Sequence, residues 1–166
     1  MAKDYSLGSD NMTIANAAAT LVGFLPPAAP APDFRIWRLW CSQSGVTTSA
    51  QYRIQVVTQV SAYPTVVTAT PRPLKHADQV ASLLVGVGGA LTAGKCGVNA
   101  SAEGAGAKTV MFGDNFNNIN GWLFVPTPDE IIEMPSGDAS SFGLFAPAAF
   151  TSNLSGWAAG VNFGER

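Results

Sequence analysis

The stretch Gln51–Val60, QYRIQVVTQV, alternates between apolar or aromatic and polar side chains. A period of two is typical of a half-buried β-strand, because successive side chains of a strand point to opposite faces of the sheet. At about 3.3 Å per residue, this strand would be on the order of 33 Å long. One face, with Tyr52, Ile54, Val56, Thr58 and Val60, is predicted to meet a core. The other is mostly polar, with Val57 as its exception, and is predicted to meet water or another subunit.

Further strand candidates lie on both sides of this stretch, separated by turns rich in Gly, Pro, Asn and Asp. They are Tyr5–Leu7, Met12–Ala15, Thr20–Leu25, Phe34–Ser42, Cys96–Ala100, Lys108–Phe112, Ile119–Val125, Glu130–Met134, Ser141–Ala146 and Trp157–Phe163. Short strands at this spacing predict an all-β fold, an antiparallel, jelly-roll-like β-sandwich of about eight to ten strands.

The connections between these strands divide the chain. The proline-rich segment 26–32 predicts an extended connector, so residues 1–33 read as an N-terminal arm with the first strands and residues 34–166 as the sandwich body of one domain. Phe34–Ser42 is apolar on both faces and is predicted to be a central strand, joined to Gln51–Val60 as an antiparallel hairpin. Residues 63–73 suit an irregular edge or a crossover, 74–84 one or two helical turns, and 86–94 a glycine-rich loop.

The composition favours burial against other protein. Of 166 residues, 47% are hydrophobic and only 12% are charged, against about 25% charged in an average soluble protein. We therefore expect a chain that associates with its own copies or with a larger assembly. Prolines interrupt the longest uncharged run, so no membrane span is expected. No secretory signal is expected either, and the net charge of −2 argues against nucleic-acid binding.

Charge is distributed unevenly along the chain. Between Arg35 and Lys108 the charged residues are mainly basic, whereas after Lys108 they are acidic until Arg166. Two explanations are open. The halves can interleave within the sandwich and neutralise each other, or they can complement each other between neighbouring copies.

Several residue patterns suggest chemistry, and each has a simpler structural explanation. Residues 89–96, GALTAGKC, miss the phosphate-binding pattern G-x-x-x-x-G-K-[ST] at Cys96, and no helix is expected to follow, so an inter-strand loop is favoured. His76 is the single histidine, which leaves no His-based metal site or catalytic triad. No cofactor, metal site or enzymatic activity is predicted.

The acidic residues Asp129, Glu130 and Glu133 could form a glycosidase pair, which we rank lowest, or a solvated acidic edge. The four tryptophans could stack on sugar rings, although their strand positions favour core packing. Cys41 and Cys96 could form a disulfide if their strands stack, but free buried thiols are favoured.

In pattern, the chain resembles the small head-decoration, or cement, proteins of tailed bacteriophages. The resemblance spans most of the sequence: YSLGSDN at 5–11, FRIWRLW at 34–40, SQSGVTTSAQYRIQ at 42–55, NGWLFVPTPDEIIEMPSG at 120–137, FGLFAP at 142–147 and GWAAGVNFGE at 156–165. It implies a jelly-roll protein on the outside of a capsid, made in the host cytoplasm and carried on the virion.

The function implied by this resemblance is structural. Such a protein bridges neighbouring major capsid proteins as a homotrimer or homodimer, and repeated weak contacts give avidity without catalysis. We expect Arg35, Arg38, Arg72 and Lys75 to contact the acidic shell. The alternative is a lectin-like or tail-fibre carbohydrate-binding module that uses exposed Trp and Asn side chains.

Overall fold

A computed structural model describes residues 3–45, 48–75, 80–150 and 154–166. These residues form fourteen strands and one short 3-10 helix, arranged as two packed sheets. The predicted all-β sandwich is confirmed. The strand number exceeds the expected eight to ten because several short pieces, two or three residues long, join the sheet edges.

The strands, numbered along the chain, have the following bounds. They are β1 Lys3–Met12, β2 Ala19–Leu25, β3 Phe34–Gln43, β4 Gln51–Val60, β5 Thr65–Thr68, β6 Arg72–Pro73, β7 Val85–Gly86, β8 Gly89–Ala90, β9 Lys95–Ala102, β10 Ala107–Asn117, β11 Trp122–Phe124, β12 Ile132–Met134, β13 Ser140–Ala146 and β14 Trp157–Glu165. The 3-10 helix, Pro128–Glu130, lies between β11 and β12.

The strand order is that of a jelly roll. The first sheet runs β11-β3-β14-β1-β6, with β12 also paired to β3, and the second runs β10-β4-β13-β2-β9-β5-β8, with β7 beside β9. Strands pair from the chain ends inward: β1 with β14, β2 with β13, β3 with β11 and β12, and β4 with β10. Successive members of this series alternate between the sheets, which is how a long antiparallel ribbon wraps into a jelly roll.

Residues 61–106 form an insertion between the paired strands β4 and β10. Four of its strands, β5 and β7 to β9, extend the second sheet beyond β2, because β9 pairs with both β2 and β5. The fifth, β6, pairs with β1 at the edge of the first sheet. The insertion contributes Val66, Leu91 and Ala100 to a small apolar cluster with Leu25 of β2. The second sheet is therefore wider than the first.

Strand β4 has the bounds that its alternation predicts, and Tyr52, Ile54 and Val56 enter the core. Thr58 is only partly buried and Val60 is 52% exposed, so the core placement predicted for these two residues is wrong. The polar face of β4 is less open than expected, since Gln59 is only 2% exposed. The ends of the insertion run over this position, and the Gln59 amide nitrogen donates to the carbonyl oxygens of Ala62 and Glu103. Gln55 and Val57 on the same face are also buried, so the expectation that this face meets water is wrong from Gln55 to Gln59.

The predicted hairpin between Phe34 and Val60 is wrong, although β3 is an inner strand as expected. β3 lies in the first sheet and β4 in the second, so the segment between them crosses from one sheet to the other. A loop longer than a tight turn permits this crossing, and sequence adjacency cannot distinguish it from a hairpin. A bulge opposite Asn162 also shifts the side-chain phase of β3.

Other local predictions need smaller corrections. The candidates at Tyr5–Leu7 and Met12–Ala15 fall in or beside one longer strand, β1. In segment 74–84 the described residues form no helix, and short strands β7 and β8 occupy part of the expected glycine loop. No helix among the described residues is long and apolar enough to cross a membrane.

The core between the sheets is aromatic-rich. Phe24 packs against Phe34, Phe142 and Phe163, with ring centroids 5.1 to 5.8 Å apart. At the other end, Trp157 is fully buried. Such clusters bury large apolar areas in fixed geometry, so they join the two sheets firmly.

Candidate functional site

The largest concentration of exposed apolar side chains lies along the edge formed by β10 and β11. Six of the twelve exposed large apolar side chains among the described residues fall between positions 110 and 125. We call this set the apolar rim: Val110, Met111, Phe112, Ile119, Leu123 and Val125. β10 ends the second sheet and β11 ends the first, so both strands leave one side without a neighbouring strand. Long apolar edges of this kind favour association with other chains.

An aromatic group supports the rim from within. The rings of Phe112 and Phe124 lie 4.8 Å apart, and Trp122 stacks near both. The Trp122 indole nitrogen donates to the Asp114 carboxylate at 3.1 Å. A cavity of about 400 Å³ opens beside Met111, Phe112 and Phe124 and reaches residues 129–133. The rim is therefore a firm surface with an adjacent recess.

The acidic segment beside this recess is already engaged in local contacts. Glu133 pairs with Arg35 at 2.8 Å across the β3–β12 ladder, with both side chains about half exposed. The Thr127 hydroxyl donates to Glu130 at 2.9 Å at the start of the 3-10 helix. The Arg35–Glu133 pair joins the basic and acidic halves of the chain, as the interleaved arrangement predicts.

The four basic residues predicted as partner contacts all lie in or beside the first sheet, but they do not form one patch. Arg35 is paired with Glu133. Arg38 lies over the Trp40 ring, 5.9 Å from its centroid. Arg72 is exposed on the edge strand β6, and Lys75 lies in the bend that follows. Of these four residues, the β-ladders bring only Arg38 and Arg72 into one cross-strand row.

That row crosses four strands on the outer face of the first sheet. Arg38 is opposite Asn162, Asn162 is opposite Ser6, and Ser6 is opposite Arg72. Asn162 is only 5% exposed, and its Oδ1 has no hydrogen-bond partner among the described residues. Burying an amide oxygen without a partner is unfavourable, so this position is unusual in the fold.

In the next cross-strand row, the Trp40 indole covers two glycines, Gly160 and Gly8, which we call the glycine track. Trp40 of β3 is opposite Gly160 of β14, which is opposite Gly8 of β1. A Cβ atom at Gly160 would lie only 2.0 Å from Cζ2 of Trp40, and one at Gly8 would lie 3.3 Å from the same atom. The indole therefore lies flat across two strands, which only glycines at these positions permit.

A groove of about 330 Å³ lies beside this indole. Its polar lining is Ser6, Ser9, Asp10, Thr70 and Arg72. A second cavity of about 340 Å³ continues it toward β5 and shares Gly8, Ser9, Thr70 and Arg72. This size lies within the range of small-molecule sites. We refer to the first cavity as the Trp40 groove.

Other sequence candidates have structural roles. In the segment resembling a phosphate loop, Gly94 has a φ of +73° and forms a turn, and Cys96 continues into strand β9. Both cysteines are free and buried, as favoured. Burial raises the pKa of the Cys96 thiol to about 12. His76 lies outside the described residues, and the described residues contain no group of three or more metal-ligating side chains.

Sequence reasoning missed the role of Glu103. Its carboxylate accepts hydrogen bonds from the backbone nitrogen and the hydroxyl of Thr20 and lies 3.3 Å from the Lys108 ammonium. These contacts tie the end of the insertion to the start of β2. An isolated glutamate in a glycine-rich segment gives no signal of such a partner 83 positions away.

The comparisons with known proteins add no relative. No family model, curated protein or solved structure matches this chain. The class that the structure defines is therefore the jelly-roll β-sandwich, and function is inferred from the surfaces described above.

Proposed function

We propose that this protein is a structural virion component that decorates the capsid exterior and bridges neighbouring major capsid proteins. The observation that carries the proposal is the apolar rim, where two sheet edges expose a firm apolar surface. A chain with 12% charged residues has few charges to keep such a surface in water. Packing the rim against a neighbouring subunit removes it from solvent.

The architecture suits this role. The two aromatic-rich sheets form a stiff body, and stiff subunits lose little conformational entropy when they dock. We assign the rim to the contact between copies of the chain in a homotrimer or homodimer. An oligomer places several weak shell contacts side by side, so that avidity replaces strong single contacts. Arg72 lies on β6, at the opposite end of the first sheet from β11, so a shell contact there is separable from the rim contact.

Oligomer mass and shell binding test the proposal together. Light scattering after size exclusion gives the mass of the purified protein, and co-sedimentation with empty shells of the cognate major capsid protein measures binding. Met111→Glu places a charge on the rim and should dissociate the oligomer and weaken co-sedimentation. Val67→Glu is the matched control, because Val67 is about equally exposed (50% against 47%) but lies on β5.

Two results would count against the proposal. The first is a wild-type protein that is monomeric and does not sediment with shells. The second is a loss of shell binding that is equal in the rim variant and in the control, since this would remove the special role of the rim. Capsids lacking the protein should also lose their contents at a lower temperature than decorated capsids.

A further inference from the structure

The Trp40 groove is not used by the proposed function, and its lining has the chemistry of a binding site. Within the described part of the chain, the side chains of Ser6, Ser9, Asp10, Thr70 and Arg72 have no hydrogen bond or ion pair with one another or with any other described residue. Five polar side chains that converge on one groove without partners are available to a ligand.

The set combines donors, acceptors and an apolar surface. Arg72 supplies donors only, Asp10 supplies acceptors, and the three hydroxyl groups supply both. The half-buried Trp40 indole adds an aromatic surface, next to the Arg38 guanidinium that lies 5.9 Å from its ring centroid. A pyranose ring presents the matching features, because its hydroxyl groups both donate and accept and its C–H faces are apolar.

A simple anion fits this lining less well. Arg72 would attract a phosphate or carboxylate, but Asp10 lines the same groove and would repel it. A neutral polyhydroxyl ligand uses both groups. The unpartnered Asn162 oxygen lies next to the groove, in the cross-strand row between Arg38 and Ser6, but it is buried beneath the surface and is not part of the lining.

We propose that the Trp40 groove binds a pyranose unit of a polysaccharide. The continuation of the groove toward β5 provides room for an adjacent unit of the same chain. This inference goes beyond the decoration role and does not depend on it. It places glycan binding on the outer face of the first sheet around β1 and β6, whereas the rim borders the opposite edge of this sheet at β11.

The test uses the full-length protein and defined sugars. Saturation-transfer NMR with oligomers of glucose, galactose, mannose and N-acetylglucosamine detects binding at millimolar affinity, which corresponds to about −4 kcal/mol. Backbone amide shifts then locate the site without any substitution. We expect saturable binding of at least one sugar, with shifts at Gly8, Thr70 and Gly160. Inorganic phosphate is the control for a simple anion site.

Variants test the assignment of residues. Arg72→Gln and Asp10→Asn change exposed side chains and should weaken sugar binding about tenfold or more. Arg35→Gln is the matched control, because Arg35 is an exposed arginine of the same sheet outside the groove. Trp40→Phe keeps an aromatic ring and should weaken binding less than Trp40→Ala.

Three outcomes would overturn the inference. They are no binding of any sugar in the panel, binding whose amide shifts lie away from the groove, and binding of phosphate but of no sugar. A loss of shell co-sedimentation in Arg72→Gln with no sugar binding in the wild type would assign this face to the shell instead. That result would leave the proposed decoration function intact, so the two failures are distinguishable.

Discussion

Replacing Gly160 with alanine tests whether the Trp40 indole lies on the glycine track as described. The three atoms nearest to the new Cβ all belong to the indole, at 2.0, 2.4 and 2.6 Å. Ordinary carbon–carbon contact is about 3.5 to 4.0 Å, so the ring must withdraw by roughly 1.5 to 2 Å. Overpacking of this kind costs about 1 to 3 kcal/mol. Part of it is offset by about 0.4 to 1 kcal/mol, because alanine reduces the entropy of the unfolded chain.

We therefore expect Gly160→Ala to lower the free energy of unfolding by about 1 to 2 kcal/mol. The melting temperature should fall by about 2 to 4 °C for each kcal/mol in a chain of this size. In a Trp40→Ala background the clash disappears, so the same substitution should be neutral or slightly stabilising. Urea unfolding of the four proteins, followed by circular dichroism, gives the coupling energy directly. Equal destabilisation in both backgrounds would refute the reasoning, because the clash would then not involve the indole.

Three further predictions concern groups inside the fold. Burial raises the pKa of the Cys96 thiol from 9.0 to about 12. The folded state therefore keeps its full stability below about pH 9, where the thiol is protonated in both states. As the pH rises toward 12, the unfolded state ionises first and the free energy of unfolding falls by roughly 4 kcal/mol. Urea midpoints measured across this range should fall less steeply in Cys96→Ala, and an unchanged slope would contradict the assignment. Glu103→Gln should lower the free energy of unfolding by about 1 to 2 kcal/mol, because the amide offers one acceptor to the two donors of Thr20; thermal melts with no measurable shift would contradict this role. Asn118 is fully buried and its side chain makes three hydrogen bonds, so Asn118→Ala should cost roughly 2 to 4 kcal/mol in chemical unfolding, whereas exposed Asn120→Ala should stay within about 0.5 kcal/mol. Similar values for the two asparagine variants would argue against the buried network.

The sequence pattern predicts those features that depend on a single strand, such as its position and much of its buried face. The alternation in Gln51–Val60 predicts β4 with its exact bounds, because period two follows from strand geometry alone. The sandwich class follows from the number and spacing of such segments. The pairing of β3 with β14, instead of β4, depends on contacts more than 100 positions apart, which no local pattern records.

The surfaces were harder to predict than the strands. The apolar rim depends on which strands end the sheets, and a strand at an edge has the same sequence period as one in the middle. The Trp40 groove depends on the register that aligns Trp40, Gly160 and Gly8 across three strands. The sequence signal was Gly160 inside the candidate strand Trp157–Phe163, since an isolated glycine in a strand often marks a close approach of another group. Gly8 gave no such signal, because it lies just beyond the candidate strand Tyr5–Leu7.

The insertion between β4 and β10 has a consequence for engineering. Val60 and Ala107 are cross-strand partners, so the chain leaves the sandwich after Val60 and returns beside the same point. A two-residue Asn-Gly turn could join these positions, and the whole lobe could then be exchanged for a foreign peptide. Such a graft would uncover the edge of β2 that β9 now pairs with and the edge of β1 that β6 now pairs with, so it would need a lysine at each edge to prevent fibre formation. Because Leu84, Cys96 and Val98 of the lobe also belong to the main core, the replacement would have to supply apolar side chains in their place.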